Sequence, residues 1–179
     1  MSGFMRRAKR TVYENPWLRF AAHDIVHPNG APGEHGVVVN PPASAVVPVD
    51  GEFVCLTRQA RFAIDASVLE IVKGGAGPGE DALTAAQREL REELALEAGR
   101  WESLGIVYEI PSIVQTPVTL FLARDLRAVD ARGDHEGLES IEAVRMPLLD
   151  ALFGATSGRI DDAVTGVALL RAARKLALI

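Results

Sequence analysis

The chain has 179 residues, a length that suits one domain with a sizeable core, and 48% of them are hydrophobic. Its net charge of −5 at pH 7 gives no basic footprint for nucleic acid and would repel anionic membranes. No apolar run is long enough to span a membrane, and no apolar segment follows the basic start to make a signal peptide. Because Cys55 is the single cysteine, no intrachain disulfide is possible. We therefore expect a cytoplasmic protein without nucleic-acid or membrane partners.

The first part of the chain is predicted to form strands joined by turns. Proline, asparagine and glycine in the segment PNGAPG indicate a turn, and Asp50-Gly51 between two apolar runs is a strong hairpin signal. The predicted strands are residues 17–27, 36–39, 45–49, 53–57 and 69–72. The last of them leads into a glycine-rich loop.

Helices alternate with strands in the rest of the chain. Residues 81–94 are a predicted helix because their leucines and alanines form an apolar stripe. Further strands are predicted at 103–108, 118–124 and 141–144, a polar loop at 130–139, and helices at 146–153 and 160–178. Asp161 or Asp162 is the expected N-cap of the last helix. The mixture indicates an α/β fold.

Three carboxylates are predicted to lie together on one face of the first helix. Glu89, Glu92 and Glu93 are spaced i, i+3 and i+4, which brings their side chains to one side. Clustered carboxylates repel one another unless a cation neutralises them, and an all-oxygen ligand set favours Mg²⁺ or Mn²⁺. The alternative is a solvated acidic helix face, in which Arg88 and Glu92 form an ordinary i,i+4 ion pair.

The spacing of these residues resembles the Nudix box, G-x5-E-x7-R-E-U-x-E-E-x-G-U, where U is a bulky aliphatic residue. The positions that match are Gly74, Glu80, Arg88, Glu89, Leu90, Glu92, Glu93 and Leu96. Many positions at fixed spacing make this a specific signal. Ala95 stands where the pattern has a helix-ending glycine, so we expect the helix to run on towards Gly99.

The resemblance covers nearly the whole chain and extends to the ADP-ribose pyrophosphatase and ADP compounds hydrolase branch of the Nudix hydrolases. The similar segments are VYENPWLRF at 12–20, LTRQARF at 56–62, LEIVKGG at 69–75, LFLARDL at 120–126 and GRIDDAVT at 158–165. Leu69, Val72 and Thr116 depart from the Trp, Pro and usual Glu of the branch, which leaves the substrate open. The resemblance implies a Nudix α/β/α sandwich with a mixed sheet and extra N-terminal antiparallel strands.

The resemblance also implies site residues. The implied metal ligands are Glu89, Glu92, Glu93 and the backbone carbonyl of Lys73, and the implied structural residues are Gly74, Glu80 and Arg88. Arg88 is expected to pair with Glu80 or Glu92. The general base is expected in the acidic loop, with Glu139 the first candidate and Glu136 the second. In other Nudix enzymes a glutamate of the box is the base, so Glu92 and Glu93 are alternatives.

Substrate binding is expected to involve three further residues. Arg58 matches the family's phosphate-binding arginine, and the alternative is a surface strand arginine. Trp17 and Phe20 are candidates to stack on adenine from a partner subunit, and the alternative is that they belong to the core.

The predicted function is hydrolysis of the pyrophosphate bond in ADP-ribose or a related compound such as NADH or a diadenosine polyphosphate, with Mg²⁺ or Mn²⁺ as cofactor. Residues 1–44 are expected to form a dimerisation arm and residues 45–179 the Nudix hydrolase domain, in a homodimer. Two alternatives remain. One is a Nudix-fold nucleotide-binding sensor with weak catalysis, and the other is an acidic α/β domain without metal.

Overall fold

The computed structural model describes residues 3–130 and 141–179. Contacts divide the chain into two compact units, one with the residues up to Pro42 plus Tyr108–Pro117, the other with Ala43–Val107 and Val118–Ile179. The strands are β1 (Met5–Glu14), β2 (Arg19–Val26), β3 (Pro32–Val39), β4 (Ala43–Asp50), β5 (Phe53–Arg61), β6 (Ala66–Glu70), β7 (Val72–Gly75), β8 (Leu96–Val107), β9 (Val118–Ala128) and β10 (Ile141–Pro147). The helices are α1 (Ala82–Leu94), α2 (Leu148–Ser157) and α3 (Ala163–Lys175), with a 3-10 turn at Phe62–Ile64.

The first unit is built on an antiparallel sheet in the order β1-β2-β3. Asn15 makes the turn between β1 and β2, because its side-chain oxygen accepts from the backbone N–H groups of Trp17 (2.9 Å) and Leu18 (2.8 Å). Thr116 belongs to this unit. Its hydroxyl donates to the Asn40 carbonyl (2.8 Å) and accepts from the Asn40 N–H (2.9 Å).

The second unit contains a mixed sheet in the order β10-β5-β4-β9-β8, with β6 paired to β5 and β7 paired to β4. The β4–β9 pair is parallel, and the other pairs that the described residues form are antiparallel. Asp50-Gly51 forms the predicted hairpin turn between β4 and β5, and Gly51 takes the positive φ of 58° that the turn requires. The hairpin prediction is confirmed.

Strand β4 is buried on both faces, and its alternating side chains separate two apolar cores. Val46 belongs to one core with Ala86 and Leu90 of α1. Ala45, Val47 and Val49 belong to the other core. That second core includes residues from α2 and α3, namely Leu148, Ala151, Leu152, Val164, Ala168, Leu169, Ala172 and Ala173. The sheet therefore lies between α1 and the α2–α3 pair, as an α/β/α sandwich requires.

Several boundaries differ from the prediction. Strand β1 starts at Met5, and the segment at 12–20 holds the end of β1, a turn and the start of β2. Strand β3 starts at Pro32 and β8 at Leu96, both earlier than predicted. Helix α2 starts at Leu148, after Pro147 ends β10. Among residues 3–130 and 141–179, the structure contains no helix of the length and apolarity needed to cross a membrane.

Candidate metal and pyrophosphate site

The glycine-rich loop passes into α1 through two capping carboxylates. Asp81 is the N-cap, and its side chain accepts from the N–H groups of Leu83 (2.9 Å) and Thr84 (3.1 Å). Glu80 turns back into the loop, where its Oε2 accepts from the Gly77 N–H at 2.7 Å. Hydrogen bonds from Arg88 and Gly77 lower the pKa of Glu80. The loop and the first turn of α1 are thus held together by ionised acceptors.

Arg88 joins the loop to the carboxylate face. Its Nε and Nη2 each donate to Glu80 at 3.1 Å, a bidentate pair, and Nη2 also donates to the Gly75 carbonyl at 2.8 Å. Its Nη1 donates to Glu89 Oε1 (2.7 Å) and Glu92 Oε2 (2.9 Å). Of the two partners predicted for Arg88, the structure contains both.

Gly74 leaves room for the Glu89 carboxylate. A Cβ built on Gly74 would lie 2.1 Å from both the carboxyl carbon and Oε1 of Glu89. Real side chains do not approach so closely, so no residue larger than glycine fits here without moving Glu89. Glu89 itself is buried, with 8% of its surface exposed.

Glu93 is a half-buried carboxylate of this site whose charged form is disfavoured. Burial, together with the nearby charges of Glu89 and Glu70, raises its pKa to about 8. Gln59 donates to its Oε1 at 3.5 Å, whereas its buried Oε2 has no hydrogen-bond partner. A buried, partnerless carboxylate oxygen is a position that a cation would stabilise.

Ala95 ends α1, and the expectation that the helix runs on towards Gly99 was wrong. Ala95 adopts a left-handed conformation with φ 52° and ψ 41°, and its N–H bonds to the carbonyls of Arg91 and Leu90. Ala95 therefore ends the helix in the left-handed conformation that is expected of the glycine in the pattern, although its Cβ makes this conformation unfavourable.

Lys73 lies in an ion cluster next to the loop. Its ammonium group is 2.8 Å from Glu70 Oε2 and 2.7 Å from Asp162 Oδ2. Glu70, 1% exposed, also forms an ion pair with Arg61. Sequence reasoning missed Glu70, Arg61 and Asp162 as neighbours of the site. For Glu70, a signal was available in the sequence, because a charged residue stands inside the apolar strand that leads into the glycine-rich loop.

Arg58 and Arg61 point to different sides of β5. Alternate residues of a strand face opposite sides, and Gln59, which contacts Glu93, shares a side with Arg61. Arg58 pairs instead with Glu142 on β10, with a closest N–O distance of 3.6 Å. The described contacts therefore bring Arg61 towards the carboxylates and leave Arg58 on the other side of the strand.

The remaining predicted residues lie elsewhere. Trp17 and Phe20 belong to the first unit, where Trp17 is 74% exposed and the Phe20 ring packs against Gly36. Glu136 and Glu139 fall within 131–140, outside the described residues. Their predicted roles stay predictions.

The described donors fit a hard divalent cation. They are carboxylate oxygens, which Mg²⁺ and Mn²⁺ prefer, and they include the partnerless Oε2 of Glu93 and the Glu89 carboxylate against Gly74. In the part of the chain that the structure describes, no three His, Cys, Asp or Glu side chains form a ready-made metal cluster. Arg88 engages Glu89 and Glu92 in this arrangement.

Comparison with protein families matches residues 39–163 to the NUDIX domain and residues 6–38 to the nucleoside diphosphate sugar hydrolase N-terminal domain. The chain belongs to the Nudix family. The match to the NUDIX domain contains β4 to β10 and all of α1. The family is typically dependent on divalent metals, in agreement with the donors described above.

Curated Nudix-like relatives cover most of the chain. The ADP-ribose pyrophosphatase of Bacillus subtilis (strain 168) is 28% identical over 163 residues, which is 90% of this chain and 88% of the relative. The methanol dehydrogenase activator of Bacillus methanolicus is 26% identical, and the match covers 88% of this chain and 86% of the relative. The ADP compounds hydrolase NudE of Escherichia coli (strain K12) is 30% identical, and the match covers 61% of this chain and 58% of the relative.

A crystal structure of an ADP compounds hydrolase has the same fold. It superposes with a TM-score of 0.84 at 24% identity, and the match covers 97% of this chain and 94% of the other. The predicted Nudix fold, with a mixed main sheet and an N-terminal three-stranded antiparallel sheet, is therefore confirmed.

Proposed function

We propose that this Nudix protein is a divalent-metal-dependent hydrolase of the pyrophosphate bond in ADP-ribose or a related nucleoside-diphosphate-linked compound. The products would be AMP and a phosphorylated remainder. ADP-ribose is the favoured substrate because a relative that covers 90% of this chain is named an ADP-ribose pyrophosphatase. NADH and diadenosine polyphosphates are the next candidates.

One observation carries the proposal. Glu93 is half-buried, has a pKa of about 8 and a buried, partnerless Oε2, and lies on the same helix as Glu89 and Glu92. Holding such a group ionised is costly unless a cation is bound. A bound divalent cation would lower the pKa of this carboxyl group and so favour its ionised form.

The chain's own residues would hold and orient the reactants. Glu89, Glu92, Glu93 and the Lys73 carbonyl would ligate Mg²⁺ or Mn²⁺. When bound, the ion supplies charge neutralisation for the pyrophosphate and acidifies water. Arg88 and Glu80 keep the loop and helix in one arrangement, so the ligands need little reorganisation.

The substrate and base assignments follow the same proposal. Arg61, on the side of β5 that contacts the helix, joins Arg58 as a candidate to bind a substrate phosphate. Trp17 and Phe20 would stack on adenine in a partner subunit's site. Glu139 would take the proton of the attacking water, with Glu136 as the second candidate and Glu92 or Glu93 as alternatives on α1.

A substrate screen tests the function. Purified protein is incubated with ADP-ribose, NADH, diadenosine polyphosphates, sugar nucleotides and nucleoside triphosphates, each with Mg²⁺ and with Mn²⁺, and products are identified by chromatography. We expect AMP from ADP-ribose at the highest kcat/KM. Absence of turnover on every compound with both metals would contradict the proposal.

A nucleotide-binding sensor is the second candidate. The observation in its favour is the relative named a methanol dehydrogenase activator, a name that describes an effect on another enzyme. A sensor would bind ADP-ribose in calorimetry without hydrolysing it. The retained Glu89, Glu92 and Glu93 favour the hydrolase, because binding alone does not require all three carboxylates.

A further inference from the structure

The Lys73 side chain bridges the buried carboxylate of Glu70 and the partly buried carboxylate of Asp162. Its ammonium group lies 2.8 Å from Glu70 and 2.7 Å from Asp162, and the side chains of Lys73 and Asp162 are each 17% exposed. Lys73 therefore forms ion pairs with both carboxylates.

Asp162 connects this bridge to helix α3. It is the N-cap of α3, where its Oδ1 accepts from the Thr165 N–H (2.8 Å) and hydroxyl (2.6 Å). The Thr165 hydroxyl in turn accepts from the Ile71 N–H at 3.0 Å. The start of α3 thus contacts the chain at Ile71 and Lys73, on both sides of Val72.

The backbone at Lys73 runs directly into the carboxylate site. In the β4–β7 ladder Lys73 pairs with Ala45 and Gly74 with Ser44. Gly74 is the residue against which the Glu89 carboxylate packs. A shift of β7 would therefore move the Lys73 carbonyl and the Glu89 cradle together.

We propose that the Lys73 side chain is a positioning residue for the divalent-cation site. By joining Glu70 to Asp162, it holds β7 so that the Lys73 carbonyl and Gly74 stay in place beside Glu89. This inference rests on the proposed function.

Charge and position have opposite effects on cation affinity, which makes the inference testable. Removing the lysine charge near the site would by itself strengthen binding of a cation. Loss of positioning weakens it, and removal of an outer-shell partner typically costs about 10- to 100-fold in metal affinity. We expect loss of positioning to dominate. Of the ion pairs that Glu70 forms with the described residues, only the one with Arg61 would remain, and β7 would have to rearrange around this 1%-exposed carboxylate.

The test is a titration of the full chain with Mn²⁺, in which electron paramagnetic resonance detects binding of the ion. Thermal unfolding is measured in parallel. Lys73→Met keeps the aliphatic stem and removes the charge, and we expect its Kd for Mn²⁺ to rise about tenfold or more. The matched control is Lys175→Met, because the Lys175 ammonium lies 3.6 Å from Glu102 and is half exposed. A Kd that is unchanged or lower in Lys73→Met would overturn the inference.

A second variant keeps the inference testable if Lys73→Met does not fold. Asp162→Asn retains the side-chain oxygen that caps α3 and removes the charge that faces Lys73. We expect it to raise the Mn²⁺ Kd as well, and the double variant to be no weaker than Lys73→Met alone, because both break one bridge. An unchanged Kd in Asp162→Asn, or strictly additive effects, would overturn the inference. Wild-type protein that binds no Mn²⁺ would overturn the proposed function and this inference together.

Discussion

The Glu89 carboxylate fills the space that a side chain on Gly74 would need. A Cβ on Gly74 would lie 2.1 Å from Glu89 Oε1 and 2.5 Å from Oε2. The glycine of the loop and the first glutamate of the helix therefore form a matched pair. The spacing between this glycine and this glutamate in the motif therefore reflects direct packing of the two residues as well as the turn between them.

Gly74→Ala is expected to reduce kcat by about 100-fold or more while leaving the fold intact. The added methyl group would push Glu89 out of position, and misplacing a metal ligand costs several kcal/mol of barrier. Steady-state kinetics with saturating Mg²⁺ and circular dichroism would measure both effects. Gly166→Ala is the control, because a Cβ there meets nothing within 4 Å, and it should keep full activity. Full activity in Gly74→Ala would contradict the site geometry.

Glu92→Gln and Glu93→Gln are each expected to lower kcat by about 100-fold or more without unfolding the protein. Both changes remove a proposed ligand for the divalent ion, and with it charge neutralisation and water activation. The Mn²⁺ affinity of each variant should fall in parallel. If both variants keep near-wild-type rates at saturating Mg²⁺, these carboxylates do not hold the ion.

Ala95→Gly is expected to stabilise the protein by about 1 kcal/mol. Ala95 has φ 52°, where an L-residue with a Cβ is strained by roughly 1–2 kcal/mol and glycine is not. Part of that gain is offset because glycine loses more chain entropy on folding. Urea unfolding would measure the difference in free energy, and lower stability of the glycine variant would argue against the left-handed helix end.

Glu139→Gln is expected to lower kcat with little change in KM, because a general base acts in the transition state more than in binding. Glu136→Gln is the matched comparison within the same acidic segment and should have a smaller effect. An active Glu139→Gln beside an inactive Glu92→Gln would assign the base to the helix.

A homodimer is expected in solution, with the N-terminal strands at its interface. Apolar side chains of this unit are exposed, including Phe4 (48%), Met5 (54%), Val12 (50%), Tyr13 (56%) and Trp17 (74%). Light scattering at micromolar concentration would detect the dimer, and deletion of residues 1–40 should abolish both dimerisation and activity. A monomeric wild-type chain or a fully active truncated chain would contradict this.

Local patterns in the sequence predicted the parts of the fold that depend on local chemistry. The apolar stripe of α1 and the Asp50-Gly51 turn are confirmed because periodicity and turn chemistry act over a few residues. Strand β1 was mostly missed because all of its residues are exposed, so it has no buried face to mark it.

Contacts between distant segments were beyond local patterns. Nothing near Lys73 in the sequence indicates Asp162 as its partner, because strand pairing and the placement of α3 bring them together. The sequence could not show which of Arg58 and Arg61 is the better candidate to bind a substrate phosphate, because that depends on which side of β5 contacts α1. The family motif supplied the carboxylates, whereas their supporting charges came only from the fold.

The parallel pairing of β4 with β9 has a consequence for synthesis of the chain. The glycine-rich loop and α1 leave the ribosome before β9, which begins at Val118, and well before Asp162. Long-range pairings of this kind form only after the distant segment is available. A nascent chain released before Asp162 would therefore carry Glu89, Glu92 and Glu93 without the framework that holds them.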